Sequence, residues 1–158
     1  KENILLKGFI KEIIEEMQPI AQKTNNTLEF IQQRDIRVYA DRIQLKRVIK
    51  NLIQNAISYG EPNFPIEVSI GEIPQYIVIK VKDYGAGISK TDIDKIFNKY
   101  YSAAKKFRKI GTGLGLYLAL QIIKSHNGEL SVESEEGNFT EFTIKLPAVM
   151  NINLHYGE

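Results

Sequence analysis

Residues 41–59 constrain this chain more than any other stretch. Leu45, Val48, Ile49, Leu52, Ile53, Ala56 and Ile57 recur at i, i+3, i+4 and i+7 without a miss. A helix with so complete an apolar stripe must bury it against a second layer. Asp41, with Gln44 three residues later, reads as a capping box that starts this helix, and Gly60 with the Pro-containing loop behind it ends it.

Other segments supply the partners. Ile13, Ile14, Met17, Ile20 and Ala21 predict a first helix over about 7–24, broken by Thr24-Asn25-Asn26-Thr27. Leu28–Ile31 and Arg37–Ala40 read as short strands. Ile66–Ile70 and Tyr76–Val81 alternate as strands around a turn at Gly71–Pro74. Ser89 with Asp92 predicts another capped helix ending near Tyr100. Leu114–Ser125 is helical and stops before Asn127-Gly128. Glu129–Glu133 and Phe139–Leu146 form a hairpin around Gly137-Asn138. The class is therefore α+β, with a mixed or antiparallel sheet and helices on one face.

With 158 residues, 43% of them hydrophobic and 25% charged, the chain can bury one sizeable core. A net charge of +2 is too small to imply nucleic-acid binding, and with no cysteine neither disulfides nor thiolate metal sites arise. Only His126 and His155 are present, which leaves no zinc cluster. No apolar run approaches a membrane span, and no signal peptide is evident. A first residue other than Met suggests a piece of a longer chain, with any anchor or sensor outside it.

Three constellations carry chemistry. On the 41–59 helix, Asn51 and Asn55 are i and i+4, stacked at the edge of the apolar stripe, with Gln44 on the same line. Such amides can offer carbonyl oxygens to magnesium, a hard cation that keeps waters and substrate phosphates, or can simply face solvent. Directly after a predicted strand comes Asp83-Tyr84-Gly85-Ala86-Gly87-Ile88. A carboxylate there can accept a hydrogen bond from the exocyclic amino group of adenine, where guanine shows a carbonyl; the alternative is an Asp-Gly turn. Gly111-Thr112-Gly113-Leu114-Gly115-Leu116 opens the next helix and suits either phosphate binding or tight packing. It lacks the preceding strand of a dinucleotide fingerprint and the Gly-Lys-Ser/Thr of a P-loop.

In this order and spacing the three resemble the N box and the two glycine boxes of the ATP-binding catalytic domain of sensor histidine kinases, in the GHKL superfamily. Ile96-Phe97-Asn98-Lys99-Tyr100-Tyr101 resembles the F box. His126-Asn127-Gly128, Ser131–Ser134 and Phe142–Pro147 resemble the closing strands, so the resemblance covers roughly residues 2–147. It implies a domain over 1–147 with a tail at 148–158, folded as a two-layer α/β sandwich of the Bergerat type under a mobile ATP lid at about 101–110. It implies Asn55 as magnesium ligand and Asn51 near the phosphates or the metal. Asp83 would contact adenine, Gly85 and Gly87 would shape its pocket, and Tyr59 would pack on the base. Gly111, Thr112, Gly113, Leu114 and Gly115 would line the phosphates. Among the lid cations Lys105, Lys106, Arg108 and Lys109, one or two would reach the β- or γ-phosphate, with Lys105 and Lys106 the first candidates; a solvated loop is the alternative, for Lys99 as well.

The resemblance further implies ATP and Mg2+ as cofactors and transfer of the γ-phosphate to a histidine on a separate dimerisation domain, homodimeric in the full-length protein. A response regulator would receive the phosphoryl group. The domain would be cytoplasmic, with no membrane or nucleic-acid contact of its own, whether or not its parent is membrane-anchored. Many relatives carry Lys, Arg or His three residues after the metal-binding Asn; here Ser58 stands there. Neither histidine sits before an acidic residue as a phosphoacceptor would, and His126 is expected to serve a helix terminus. Rival readings are a same-fold GHKL ATPase or serine kinase and a non-catalytic nucleotide-sensing module. The water-activating Glu of the gyrase and MutL branches has no counterpart between Gln44 and Asn55.

Overall fold

The computed structural model describes residues 1–31, 34–99 and 114–148. The chain runs β1 (Glu2–Leu5), α1 (Leu6–Gln22), β2 (Thr27–Ile31), β3 (Arg37–Ala40), α2 (Arg42–Tyr59), β4 (Pro65–Ile73) and β5 (Tyr76–Asp83). It continues through α3 (Gly115–Ser125), β6 (Glu129–Glu135) and β7 (Phe139–Pro147). The expected lid at 101–110, with Lys105 and Lys106, lies outside the described residues, as do Gly111, Thr112, Gly113 and residues 149–158.

Five strands form one sheet in the order β2-β4-β5-β7-β6. β2 pairs with β4 in parallel and every other neighbour is antiparallel, which makes the sheet mixed. Side chains alternate across it. Ile66, Val68, Ile70, Ile77, Ile79, Val81, Phe142, Ile144 and Leu146 are buried beneath the helices, whereas Glu67, Lys80, Lys82, Glu141 and Lys145 line the other face. The helical layer sits as α1 against β2, α2 against β4 and β5, and α3 against β6. α2 is therefore the central helix, flanked by α1 and α3, and each of its seven stripe residues is 6% exposed or less. This two-layer arrangement is the α+β sandwich expected from the sequence.

Helix ends follow the local chemistry. The Asp41 carboxylate accepts from the Gln44 amide at 3.0 Å, capping α2, and this bond holds its pKa below the ordinary aspartate value. The reciprocal half of the expected box does not form: the Asp41 amide donates to His126 Nε2 at 3.0 Å instead. α3 ends as the Asn127-Gly128 signal predicts. Asn127 adopts a left-handed φ of 58°, its amide returns to the Lys124 carbonyl, and the Gly128 amide returns to Ile123, each at 3.0 Å.

The structure adds one element and corrects two expectations. Residues 2–5 form a strand that the sequence did not announce; β1 pairs antiparallel with β3 in a separate two-stranded sheet. With only Ile4 facing inward, four residues show too little alternation to register. The turn after β4 is shorter than expected: β4 continues to Ile73, and Pro74-Gln75 makes the reversal with Gln75 at φ 72°. Proline before a positive-φ residue suits a type II turn, but glutamine there gives no signal. The expected helix from Ser89 to Tyr100 is a run of turns over residues 90–97 instead; Tyr100 itself is not described. The Asp92 amide bonds the Ser89 carbonyl, and the Ser89 hydroxyl meets Thr91. Packing holds this segment: Ile96 is buried, and the Phe97 ring stands edge-on to Phe142 at 6.2 Å.

Truncating the middle of the α2 stripe tests this architecture. Leu52→Ala should lower unfolding free energy by about 2–5 kcal/mol in urea denaturation. Ile43→Ala, on the exposed side of the same helix, should change it by no more than about 0.5 kcal/mol.

Candidate functional site

The burial of α2 sets the azimuth of its polar border. Asn51 and Asn55 lie half-buried at the edge of the stripe, one turn and about 6 Å apart along the axis. The Asn51 side chain donates from Nδ2 to the carbonyl of Gly115 at 3.3 Å, joining α2 to the first residue of α3. The Asn55 side chain makes no hydrogen bond to any described residue. A half-buried amide oxygen without a protein partner fits one coordination position of a hard cation whose other ligands are phosphate and water. Among the described residues no cluster of His, Asp or Glu could hold a metal alone. Ser58 accepts a hydrogen bond from Gln54 at 3.3 Å.

Further along, α2 ends against the loop that carries Asp83. A Cβ on Gly85 would collide with the Tyr59 carbonyl oxygen and fall 2.5 Å from Gly60 Cα. A Cβ on Gly60 would collide with the Ala56 carbonyl and lie 3.3 Å from Asp83 Cβ. Two glycines therefore let the end of α2 and the end of β5 meet backbone to backbone. Gly87 plays a parallel role with φ at 71°, because a Cβ there would come within 2.9 Å of Glu136 Cα in the β6–β7 hairpin. That hairpin also binds the loop through Gly137 to the Ala86 carbonyl at 2.6 Å, and Ile88 to Ser134 Oγ at 2.8 Å. The glycines thus serve packing at least as directly as ligand approach, which the motif alone could not tell.

Asp83 itself is 5% exposed, at the last position of β5. Its Oδ1 accepts the Gly85 amide at 3.0 Å. Burial pushes its carboxyl up to about 7, with the Gly85 hydrogen bond pulling the other way. The next residue is anchored outside the sheet. Tyr84 donates its hydroxyl to Glu67 at 2.7 Å, which raises the phenol to about 12, and the Lys82 ammonium lies over the rings of Tyr84 and Phe139.

Thr140 was not singled out from the sequence. It stands directly opposite Asp83 in β7, buried, with its hydroxyl 3.2 Å from Ser134 Oγ. A threonine in an alternating strand gives no local signal; only the β5–β7 register places it there. Lys99, left open between phosphate contact and solvation, has its ammonium 5.9 Å from the Tyr117 ring centroid on α3.

The candidate residues gather along the C-terminal half of one helix face. Tyr59, Gly85 and Asp83 meet at the C-terminus of α2, and Asn51 meets Gly115 at the N-terminus of α3, with Asn55 between. Leu114, the N-cap of α3, has no polar side chain to bond the amides of the first turn. Leu114 and Gly115 are the described part of the second glycine-rich motif.

Comparison with known proteins agrees with this arrangement. Residues 40–150 match the family model described as histidine kinase-, DNA gyrase B-, and HSP90-like ATPase. The sensor histidine kinase WalK of Bacillus subtilis (strain 168) is 33% identical over 153 residues, which cover 93% of this chain and 25% of that protein. The sensor protein SrrB of Staphylococcus aureus (strain NCTC 8325 / PS 47) is 38% identical over 109 residues, covering 68% and 19%. The chain thus spans a quarter or less of these relatives' length. The solved catalytic domain of histidine kinase ThkA superposes with a TM-score of 0.81 at 28% identity, covering 92% of this chain and 96% of that one. The mycobacterial sensor histidine kinase MprB shares the fold at a TM-score of 0.80 and 22% identity, over 93% and 97%.

Asp83 generates a stability prediction. Its folded-state pKa lies above its unfolded one, so the neutral acid favours folding fully below pH of about 4, and that contribution is lost as pH rises to about 7. Asp83→Asn keeps an acceptor for Gly85 and removes the titration. Its stability relative to the natural chain should rise across that window by up to about 4 kcal/mol, then level off, in denaturation series at stepped pH.

Proposed function

Since the chain belongs to the histidine kinase-, DNA gyrase B-, and HSP90-like ATPase family, we propose that it binds Mg-ATP and donates the γ-phosphate to a histidine on a separate dimerisation domain. The observation that carries this reading is the layout along α2. A buried acid stands beside its C-terminus and the start of α3 meets it at mid-helix, with the Asn55 side chain between them. From Asn51 to Tyr59 is about 12 Å along the helix axis, a run suited to an extended nucleoside triphosphate.

In this reading Asp83 accepts the adenine amino group and Tyr59 packs on the base. Gly85 and Gly87 hold the walls of that pocket. Asn55 would hold Mg2+ through its side-chain oxygen, the metal would supply charge neutralisation at the phosphates, and Asn51 would lie near the phosphates or the metal. Gly111, Thr112, Gly113, Leu114 and Gly115 cradle the phosphates, while Lys105 and Lys106 stabilise the transferred charge. The acceptor imidazole nitrogen attacks the γ-phosphorus in line. The N–P bond forms, the bond to the β,γ-bridging oxygen breaks, ADP leaves and the imidazole loses its proton. Positioning and charge neutralisation supply most of the rate. The phosphoryl group then passes to an aspartate of a response regulator.

α2 carries no Asp or Glu from Arg42 to Tyr59, so it offers no carboxylate to activate water. That favours phosphotransfer over a hydrolase of the same fold. The acceptor domain lies outside this chain and would form the homodimer of the full-length protein. Among the described residues no helix is long and apolar enough to cross a membrane, and the domain would act in the cytoplasm whether or not its parent is anchored.

Phosphotransfer from γ-labelled ATP to a separately supplied dimerisation domain is the direct test. Label should appear on its histidine; tight Mg-ATP binding without any label would sink the kinase reading and leave a nucleotide sensor. Two variants examine the site by calorimetry. Asn55→Ala should remove about tenfold of the magnesium-dependent affinity for ATP; an unchanged magnesium dependence would refute its metal role. Asp83→Asn should weaken ATP binding by about 10–100-fold, the size of a lost charge-assisted hydrogen bond, while remaining folded.

A further inference from the structure

His126 occupies a position that neither the nucleotide nor the metal reading uses. It is buried, 5% exposed, one residue beyond α3. Its Nε2 accepts the Asp41 amide at 3.0 Å, and its Nδ1 lies 2.8 Å from the Ile122 carbonyl. A nitrogen that accepts from a backbone N–H carries no proton of its own, so the ring is the neutral Nδ1–H tautomer and donates to Ile122. The left-handed Asn127 turn already returns two amides to the last carbonyls of α3, so capping alone does not call for a two-sided side chain. The Asp41 amide belongs to the N-cap of α2, 85 residues earlier in the chain.

The same two helices meet at a second bond, Asn51 Nδ2 to the Gly115 carbonyl. Asp41 pairs with the C-terminal end of α3, and Asn51 with its N-terminal end, so the helices run antiparallel with a hydrogen bond at each end. The spans between the bonds match: Asp41 to Asn51 rises about 15 Å and Gly115 to His126 about 16 Å. Between them the buried stripe of α2 packs on α3 through Ala119 and Ile123. Apolar contact resists separation but permits sliding and rotation, whereas a directional bond does not. The Asn51 bond is longer and exposed, so the His126 bond is the firmer of the two.

We propose that His126 is a positioning residue: by bonding the N-cap of α2 it fixes α2 against α3 and so sets where Asn51 and Asn55 stand relative to the Gly115 end of the second glycine-rich motif. Its consequence for nucleotide affinity rests on the ATP reading above; the locking itself does not. Substrate contact is not part of this role.

Two substitutions separate the bridge from simple helix capping. His126→Gln places an oxygen near the Nε2 position and can keep the bond to Asp41. His126→Asn places its amide near Nδ1, keeping the local bond to Ile122 and losing the bridge. In the nitrogen-15-labelled chain without nucleotide, the natural ring should show a protonated Nδ1 and a bare Nε2; the opposite tautomer overturns the proposal, whatever the variants do. The Asn51 side-chain and Gly115 amide resonances should move in His126→Asn and stay near their natural positions in His126→Gln. A His126→Asn chain that matches the natural one, or two folded variants displaced equally, also overturns it. In ATP titrations, His126→Asn should raise Kd about tenfold and His126→Gln should stay within about threefold. A natural chain that binds no ATP would instead refute the nucleotide reading, while the resonances still decide the bridge.

Discussion

The seating of α2 is the constraint on which the rest depends. Its apolar stripe is closed in by the sheet below and by α1 and α3 on either side. Turning the helix by one residue, about 100°, would drive Asn51 and Asn55 into the core or out to solvent. Burial of aliphatic side chains, a non-directional force, thus aims two polar ones. The ends of the helix are held by directional contacts instead: the Asp41 cap and the His126 bond at the start, and the approach of Gly60 to Gly85 at the finish.

That finish exposes a conflict between folding and chemistry. Asp83 is taken out of water with the Gly85 amide on its Oδ1, and its carboxyl is raised to about 7. An unpaired buried carboxylate opposes folding, and a neutral amide of the same shape would relieve it. A further N–H donor brought to that carboxyl would add a partner where the free chain offers the Gly85 amide. The anchoring of Tyr84 by Glu67 and Lys82, together with the glycine contacts to the β6–β7 hairpin, holds the loop in that unfavourable position.

Much of this was legible in the linear order of residues. The α2 stripe, the Asp41 cap, the β6–β7 hairpin and the end of α3 at Asn127-Gly128 are local patterns, written within a few turns or a single loop, and the structure follows each. The helix read from Ser89 and Asp92 failed because a capping pair states only what a segment can do alone. Ile96 and Phe97 are held by the core and by Phe142, and the segment is a run of turns. β1 escaped notice because its strand character comes from β3, more than thirty residues away.

By itself the sequence determined the fold class, the central helix, and the residue types on offer at the site: paired amides, a strand-end acid and a glycine-rich helix start. Periodicity and turn chemistry are short-range properties, and short-range properties survive in one dimension. Only the tertiary structure decided that Asp83 is buried opposite Thr140 and that Gly85 and Gly87 admit neighbouring backbone. It alone decided that the Asp41 amide belongs to His126 and not to Gln44. Each of those rests on a hydrogen bond, a strand register or a close approach between segments distant in the chain. Such pairings are chosen by the packing of whole layers, and no window of neighbouring residues contains them.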